Sequence, residues 1–169
     1  MRIISGKYKG RRLTAPKNLP VRPTTDMAKE ALFNIINNEY YFETLSVLDL
    51  FAGTGNISYE FASRGVPQIT SVDRNSGCVR YMNTIAEEFE FNLDIRKFDV
   101  FKYLEQASGS YKLIFADPPY DLDQSLFEKI ITLVFEKNLL TEEGTLIVEH
   151  SKHTKLIAES LTKCFVDCL

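Results

Sequence analysis

From residue 46 onward, short apolar runs alternate with segments of helical spacing, and this alternation limits the possible folds more than any other feature of the chain. Strands that are joined through helices form right-handed crossovers, which give a parallel sheet with helices on both faces. The sequence therefore predicts an α/β fold with a mostly parallel twisted sheet. The expected strands are 46–51, 69–72, about 93–98, 111–116 and 145–149, and the expected helices between them are 57–64, 75–89, 101–107 and about 123–136.

Acidic residues stand at or near the carboxyl ends of four predicted strands. They are Asp49, Asp73, Asp99 and Asp117. In an open parallel sheet, ligands bind outside the carboxyl ends of the strands, close to the point where the strand order reverses. We therefore expect these four side chains to surround one ligand site.

The first of these strands runs into a loop of small residues, Asp49 to Gly55, which contains Gly53 and Gly55. Glycine lets the backbone approach a ligand closely because no Cβ stands in the way. Asp73 follows Gly55 by 18 residues, where a carboxylate accepts hydrogen bonds from ribose hydroxyls. Enzymes that use NAD share this pattern, but Ser58 at the third fingerprint position is unfavourable for a pyrophosphate cofactor. No Gly-Lys-Ser/Thr word is present, which excludes a P-loop.

The sharpest motif is Asp117-Pro118-Pro119-Tyr120, directly after the most apolar strand. Two prolines remove two backbone donors and fix φ, so we expect a rigid loop whose carbonyls point outward as acceptors. An aspartate beside such carbonyls gives two acceptors, which match the two N–H bonds of an exocyclic amine. Tyr120 supplies a flat face on which a base can stack, worth about 1–3 kcal/mol in single-strand binders. A turn that only ends the strand, with Tyr120 packed as a lid, is the simpler interpretation.

The charge of the chain is uneven. Residues 1–22 hold seven basic side chains and no acidic one, although the net charge of the whole chain is −3. Apolar residues spread among these charges, with Gly6 and Gly10 at turn positions, predict a small basic β-hairpin rather than a solvated tail. A basic surface on an acidic body is typical of a polyanion partner. The predicted RNA contacts in this segment are Arg2, Lys7, Lys9, Arg11, Arg12 and Arg22.

Residues 28–36 carry the spacing of one helix face, with a start signal just before them. The apolar positions are Ala28, Ala31, Leu32, Ile35 and Ile36. Thr25 or Asp26 can cap this helix by accepting a hydrogen bond from a backbone N–H of its first turn.

Length and composition favour one domain with a real core, since the chain has 169 residues of which 44% are hydrophobic. We divide it into a basic extension, 1–22, and a catalytic domain, 23–169. No apolar run approaches a membrane span or a signal peptide, and three cysteines form no even framework, so a cytoplasmic location is expected. A domain of this size can work as a monomer, which is the expected state. Cys164 and Cys168 lack a second ligand pair at zinc spacing. His150 and His153 are three positions apart and could in principle bind a metal, but the simpler interpretation is that His150 ends the fifth strand, so no metal is expected.

Asp117-Pro118-Pro119-Tyr120 downstream of the glycine loop resembles the amino-methyltransferases, which methylate exocyclic nitrogens of bases. The words at 2–13, 22–26, 30–35 and 148–150 look like the RsmD family, and the resemblance runs from residue 1 to about 153. It implies a Rossmann-like class I methyltransferase fold. It also implies that S-adenosylmethionine is the methyl donor, and that the N2 amine of a guanine in 16S ribosomal RNA is the acceptor. The substrate would be either free 16S RNA or 16S RNA within a partly assembled small ribosomal subunit.

The same resemblance implies a role for particular residues. Asp117, Pro118, Pro119 and Tyr120 would hold the guanine, and Asp99 would meet the adenine of the donor. The full set that would contact the donor is Asp49, Phe51, Ala52, Gly53, Thr54, Gly55, Asp73, Arg74, Asp99 and Val100.

The chain departs from the family pattern in three places. Met27 and Lys29 lie where the family has other residues on a surface expected to contact phosphates. Asp73 stands where glutamate is common. Residues 155–169 lack the aromatic-glycine step of the last strand pair, so completion of the sheet is left open.

Three other functions remain open at this point. An adenine N6-methyltransferase acting on DNA or RNA shares both motifs, although the chain has no room for the added target-recognition region that the DNA enzymes usually need. An NAD-dependent oxidoreductase leaves residues 117–120 and the basic segment unexplained. A non-catalytic RNA-binding module leaves the glycine loop without a role.

Overall fold

The computed structural model describes residues 1–19 and 24–150, together with the backbone of 164–167. The helices are α1 (Asp26–Glu39), α2 (Asn56–Ser63), α3 (Ser76–Glu88), α4 (Val100–Gln106) and α5 (Gln124–Glu136), and a short 3-10 turn spans Phe42–Thr44. The strands are β1 (Ser46–Leu50), β2 (Gln68–Asp73), β3 (Leu93–Lys97), β4 (Tyr111–Ala116), β5 (Leu140–Glu149) and β6 (Cys164–Asp167).

The strands form one sheet in the order β3-β2-β1-β4-β5-β6, and every pair is parallel. This confirms the α/β fold and each of the five predicted strands. The main boundary difference is β5, which begins at Leu140 rather than at 145, because Tyr111 pairs with Leu140 before an irregularity shifts the register to Leu113 with Thr145. Cys164–Asp167 pairs with β5 and extends the sheet by one strand, while residues 151–163 and 168–169 lie outside the described part of the chain.

Helices cover both faces of the sheet, as expected for parallel strands. One buried cluster joins Leu48 and Leu50 of β1 to α4 and α5 through residues such as Leu104 and Ile130. The opposite cluster joins Val47 of β1 to α1 and α2. Burial on both faces explains why these strands read as nearly continuous apolar runs.

The first helix begins where the sequence predicted, and Thr25 is its cap, since its hydroxyl accepts a hydrogen bond from the Ala28 N–H. The predicted buried face was partly wrong. Ala31 and Ile35 are exposed, and the buried positions are Lys29, Leu32, Phe33 and Ile36. The apolar pattern did not reveal the buried face, because that face contains a lysine and because the exposed Ala31 and Ile35 are also apolar.

The N-terminal segment doubles back on itself, with Gly6 and Gly10 at positive φ, but only one antiparallel bridge forms, between Arg2 and Arg12. The regular β-hairpin expected from the sequence is therefore not confirmed. The reason lies in the hydrogen bonds of the turn. Backbone hydrogen bonds do link Ile3 with Arg11 and Gly10, and Leu13 with Met1, but the ladder does not continue, because the N–H of Ser5 donates to the Glu60 carboxylate.

Glu60 is fully buried on α2 and holds this segment against the domain. Its two oxygens accept the N–H groups of Ile4 at 2.8 Å and Ser5 at 3.0 Å. The same carboxylate pairs with the Lys29 ammonium at 3.4 Å and with the Arg64 guanidinium at 2.9 Å. A buried carboxylate is tolerated because every part of it is paired or hydrogen-bonded.

Lys29 corrects one expectation from the sequence. It does not lie on a phosphate-contacting surface, since its residue is only 1% exposed and its ammonium donates to the Arg2 carbonyl and the Asn56 side chain. Burial lowers the pKa of Lys29, an effect that the Glu60 charge opposes. Met27, by contrast, is 80% exposed. The lysine is therefore a structural link between α1, the N-terminal segment and α2.

Replacing Glu60 by glutamine should destabilise the protein strongly, because Lys29 would then be a buried charge without its counter-ion. Breaking a buried pair in this way costs about 3–5 kcal/mol in the free energy of unfolding. Chemical denaturation of Glu60→Gln measures this, with Glu43→Gln on the exposed 3-10 turn as the matched control. A destabilisation no larger than that of the control would contradict the role given to Glu60.

Candidate functional site

The carboxyl ends of β1, β2 and β4 border one open cleft with a volume of about 930 Å³. This is the place that the parallel topology predicts for a ligand. Nearly all of the residues predicted from the sequence to bind donor or base line it. They are Asp49, Phe51, Ala52, Gly53, Thr54, Asp73, Arg74, Asp99, Val100, Asp117, Pro118, Pro119 and Tyr120.

In the loop after β1, every second residue from 51 to 55 has a positive φ angle. Phe51, Gly53 and Gly55 all have positive φ, at 60°, 55° and 81°. A non-glycine residue in this region costs about 1–3 kcal/mol, and such strain tends to persist at ligand sites. Gly55 does not line the cleft. Its Cα faces the ring of Tyr59, and an added Cβ would come within 2.6 Å of that ring, so glycine is required here for packing at the start of α2.

Asp73 at the end of β2 holds the glycine loop in place through a hydrogen bond. Its Oδ2 accepts the Gly53 N–H at 2.8 Å, and its Oδ1 accepts the Asn75 N–H at 2.7 Å. Burial raises the pKa of Asp73, and these two backbone donors oppose the rise. Each carboxylate oxygen has a second lone pair, so the side chain can still accept hydrogen bonds from a ligand in the cleft.

Asp49 lies deeper, and it is buried to 1% exposure on β1. Its Oδ2 accepts a hydrogen bond from the Ser58 hydroxyl, which also contacts the Ser71 hydroxyl at 2.7 Å. Ser58 at the third fingerprint position therefore supports Asp49 instead of making room for a pyrophosphate. Burial raises the pKa of Asp49 to about 7, and the nearby charges of Asp117 and Asp73 act in the same direction.

Asp99 lies just after the third strand and begins α4. Its Oδ1 accepts the N–H groups of Phe101 and Lys102, which makes it the cap of that helix. Asp99 and Val100 nevertheless line the cleft, so the side chain has a local structural role in addition to its predicted role in binding.

Asp117 follows β4, and its N–H still donates to the Leu50 carbonyl, which fixes it against the end of β1. Burial raises the pKa of Asp117 to about 7, and the neighbouring Glu149 charge adds to this. Pro118 is buried and Pro119 exposed. The expectation that the proline carbonyls point outward fails for Pro119, because its carbonyl accepts the Leu122 N–H at 2.9 Å within a turn.

Tyr120 is 57% exposed at the mouth of the cleft, so it is not packed as a buried lid. Its hydroxyl donates to Glu149 Oε1 at 2.8 Å. Glu149 is the last residue of β5 and lines the same cleft. The structure therefore adds a fifth acidic side chain to the four expected from strand ends.

Several other residues of the cleft were not identified from the sequence. Glu149 is acidic and ends a predicted strand, so the rule that picked out the other carboxylates would have found it. The remainder carry no comparable signal, since their place in the site depends on how α1, the starts of α2, α3 and α4, and the end of β4 pack around the cleft. They are Thr24, Thr25, Ala28, Asn56, Ile57, Asn75, Ser76, Cys78, Phe101, Phe115 and Leu122.

The basic side chains lie together on the N-terminal segment. Lys7, Lys9, Arg11 and Arg12 are exposed, and the Lys7 ammonium sits 4.9 Å from the centre of the Tyr8 ring. Arg2 pairs with Asp26 at 3.0 Å, at the start of α1 and next to the cleft residue Thr25. Arg22 lies outside the described residues.

Neither a metal site nor a membrane span is found within the described residues. They contain no group of three or more His, Cys, Asp or Glu side chains arranged to hold a metal ion. None of the helices in the same part of the chain combines the length and the apolar character needed to cross a bilayer.

Known relatives and solved structures agree with this architecture. A ribosomal RNA small subunit methyltransferase D of Haemophilus influenzae is 30% identical over 169 residues, covering 93% of this chain and 82% of its own. YlbH of Bacillus subtilis, which carries a provisional rRNA methyltransferase name, is 35% identical over 161 residues, covering 92% of this chain and 85% of its own. A hypothetical protein of Thermus thermophilus has a similar structure, with a TM-score of 0.81 and 25% identity over 93% of this chain and 90% of its own.

The family model described as conserved hypothetical protein 95 matches residues 1–165, from the basic segment through β5 and into β6. Together with these relatives, it shows that the chain belongs to the RsmD family of rRNA methyltransferases.

Proposed function

We propose that this protein transfers a methyl group from S-adenosylmethionine to the N2 amine of a guanine in 16S ribosomal RNA. The observation that carries the proposal is the meeting of two groups of residues in one cleft. The glycine loop and Asp73 suit a nucleoside, and Asp117 with the following prolines suits an amine. The names of the relatives point to ribosomal RNA of the small subunit as the substrate.

The residues present fit a nucleoside donor with a positive charge. Gly53 brings backbone to the cleft wall, where the Asp73 carboxylate next to it keeps acceptor capacity for ribose hydroxyls. Asp49, Asp73, Asp99, Asp117 and Glu149 all line the cleft, so a cation is favoured there electrostatically. S-adenosylmethionine, when bound, would supply an activated methyl group on a positively charged sulfur.

The protein has to make a poor nucleophile reactive, because the lone pair of an aromatic amine is delocalised into the ring. Asp117 and the Pro118 carbonyl would accept the two amine hydrogens and so turn the lone pair toward the methyl group. Orientation of this kind can contribute roughly 7–11 kcal/mol in favourable cases. Once the nitrogen carries the methyl group, its proton becomes acidic and Asp117 can accept it.

The position of Tyr120 supports a base that is flipped out of any stack. Asp117 lies inside the cleft, so an amine can reach it only if the nucleotide leaves its helix. The exposed ring of Tyr120 at the mouth offers a stacking face for that base. The basic side chains of the N-terminal segment would hold the phosphates of the flanking RNA.

The direct test is transfer of radiolabelled methyl from S-adenosylmethionine to small ribosomal subunits that lack their modifications, followed by nucleoside analysis. Transfer RNA and duplex DNA serve as parallel substrates. Label in N2-methylguanosine of 16S RNA supports the proposal. Label in methyladenine, or in DNA, would overturn the choice of base or nucleic acid, and thermal stabilisation by NAD but not by the methyl donor would overturn the reaction itself.

Asp117→Ala should lower methyl transfer by on the order of 100-fold or more, since misplacement of the amine costs that much, while donor affinity stays nearly unchanged. Asp117→Asn is the matched control, because its amide oxygen keeps one acceptor, and it should retain more activity than the alanine variant. Single-turnover rates and titration with S-adenosylhomocysteine separate the two effects. A large decrease in donor affinity in either variant would show that Asp117 belongs to the donor site.

The transfer rate should rise with pH through about 7. Burial and the Glu149 charge raise the pKa of Asp117 to about 7, so the carboxylate form that accepts the amine hydrogens dominates only above that pH. Asp49 from β1 also has its pKa raised to about 7, so Asp49→Asn and Asp117→Asn identify which group controls the profile. Measured as kcat/KM, the rate should fall about tenfold per pH unit below the pKa in the wild type and stay flat in Asp117→Asn. A flat wild-type profile between about pH 5.5 and 8 would contradict this assignment.

Replacing Arg11 and Arg12 by alanine should weaken RNA binding and flatten its dependence on salt. The slope of log K against log salt decreases by roughly one for every phosphate that the protein no longer neutralises. Lys137→Ala, at the exposed end of α5, is the control and should leave the slope unchanged. If the double variant keeps the wild-type slope, the basic segment has a structural role only.

A further inference from the structure

Glu149 has features that its place in the strand does not explain. Its residue is only 7% exposed, yet its side chain lines the cleft. Oε1 accepts the Tyr120 hydroxyl at 2.8 Å, whereas Oε2 is buried and has no hydrogen-bond partner among the described residues. A buried polar atom without a partner costs about 1–3 kcal/mol, so a donor from a ligand is the expected complement.

The sheet register sets Glu149 beside Asp117. Ala116 of β4 pairs with Val148 of β5 in parallel, and the two acidic residues are the next positions along each chain. Neighbouring strands lie about 4.8 Å apart, and equivalent positions point to the same face. The Glu149 charge also raises the pKa of Asp117, as expected for two neighbouring carboxyl groups. A base whose amine is held at Asp117 can therefore present one of the two ring atoms beside that amine to Glu149.

The chemistry of that adjacent ring atom differs between bases. In guanine, the N2 amine lies between N1, which carries a hydrogen and donates, and N3, which is an acceptor, so a carboxylate selects the orientation in which N1 faces it. In adenine, N1 beside the N6 amine is an acceptor, and in cytosine N3 beside the N4 amine is an acceptor too. A fixed carboxylate oxygen at this point bonds guanine and repels the other two.

We propose that Glu149 determines the choice of base, with its Oε2 accepting the N1–H of guanine while Asp117 holds the N2 amine. This inference rests on the proposed function. The acceptors of residues 117–120 suit any exocyclic amine, and Glu149 would be the residue that distinguishes guanine from adenine. Sites built to hydrogen-bond a polar group reject analogues without it by large factors, because their buried polar atom is left unpaired.

Tyr120 has a second role in this arrangement. Its hydroxyl donates to Oε1, which restrains rotation of the carboxylate and favours one direction for its other oxygen. The same ring, exposed at the mouth, is available for stacking. Tyr120 is thus a positioning residue for Glu149 through its hydroxyl and a stacking surface through its ring.

The test uses small subunits reconstituted with 16S RNA that carries either guanine or 2-aminopurine at the nucleotide methylated by the wild type. 2-Aminopurine keeps the 2-amine but has an acceptor at N1 and no O6. The measured quantity is the ratio of kcat/KM for guanine to that for 2-aminopurine. Differences in amine reactivity, and any recognition of O6 elsewhere, cancel when this ratio is compared between variants.

The wild type should prefer guanine, and Glu149→Gln should lower the ratio by about tenfold or more, because the glutamine amide can donate to the N1 of 2-aminopurine. Glu143→Gln, an exposed position on the same strand, is the matched control and should keep the wild-type ratio. Thermal unfolding and binding of S-adenosylhomocysteine confirm that each variant is folded.

The outcomes separate the two proposals. If the wild type does not methylate guanine, the proposed function fails. If the wild type does so and Glu149→Gln keeps the same ratio, only the role of Glu149 fails. Should Glu149→Gln not fold, Tyr120→Phe decides, since it keeps the ring and removes the hydroxyl that orients Glu149. A lowered ratio in Tyr120→Phe supports the inference, and an unchanged ratio overturns it.

Discussion

The parallel pairing of β1 with β2 on one side and β4 on the other is the constraint on which the site depends. Because Leu50 is in register with both Val72 and Ala116, the next residues of three strands reach the same edge together. The glycine loop, Asp73 and Asp117 come from distant parts of the chain and have no other reason to meet. A slip of one residue in either pairing would turn one of these side chains to the other face of the sheet.

A second interaction attaches the basic segment to this sheet. The Glu60 carboxylate binds backbone of the segment, the Lys29 ammonium of α1 and the Arg64 guanidinium next to its own helix. Since α2 begins at the glycine loop, one buried charge network fixes the expected RNA-contacting surface relative to the cleft. The basic residues near the N-terminus are thus of two kinds. Arg11 and Arg12 are exposed, whereas Lys29 is buried in the network around Glu60.

The cleft gathers carboxyl groups that repel one another. Asp49 and Asp117 both have their pKa raised to about 7, so at neutral pH their protons are only partly lost. This arrangement is unfavourable without a ligand and becomes favourable when a cation or hydrogen-bond donors enter. A positively charged methyl donor and a base presented by its N–H edge supply both, which links the electrostatics of the site to the proposed reaction.

The sequence by itself determined the parallel α/β fold, the acidic strand ends and the two motifs, because these depend on local periodicity and on short words such as Asp117 to Tyr120. Only the tertiary structure decided which residues are neighbours. It buried Lys29 and exposed Ile35, because their helix packs against the sheet and Glu60. It left the expected hairpin with a single bridge and bound its turn to α2, and it set Glu149 beside Asp117. These features follow from partners that are far apart in the chain, and no local pattern records such contacts.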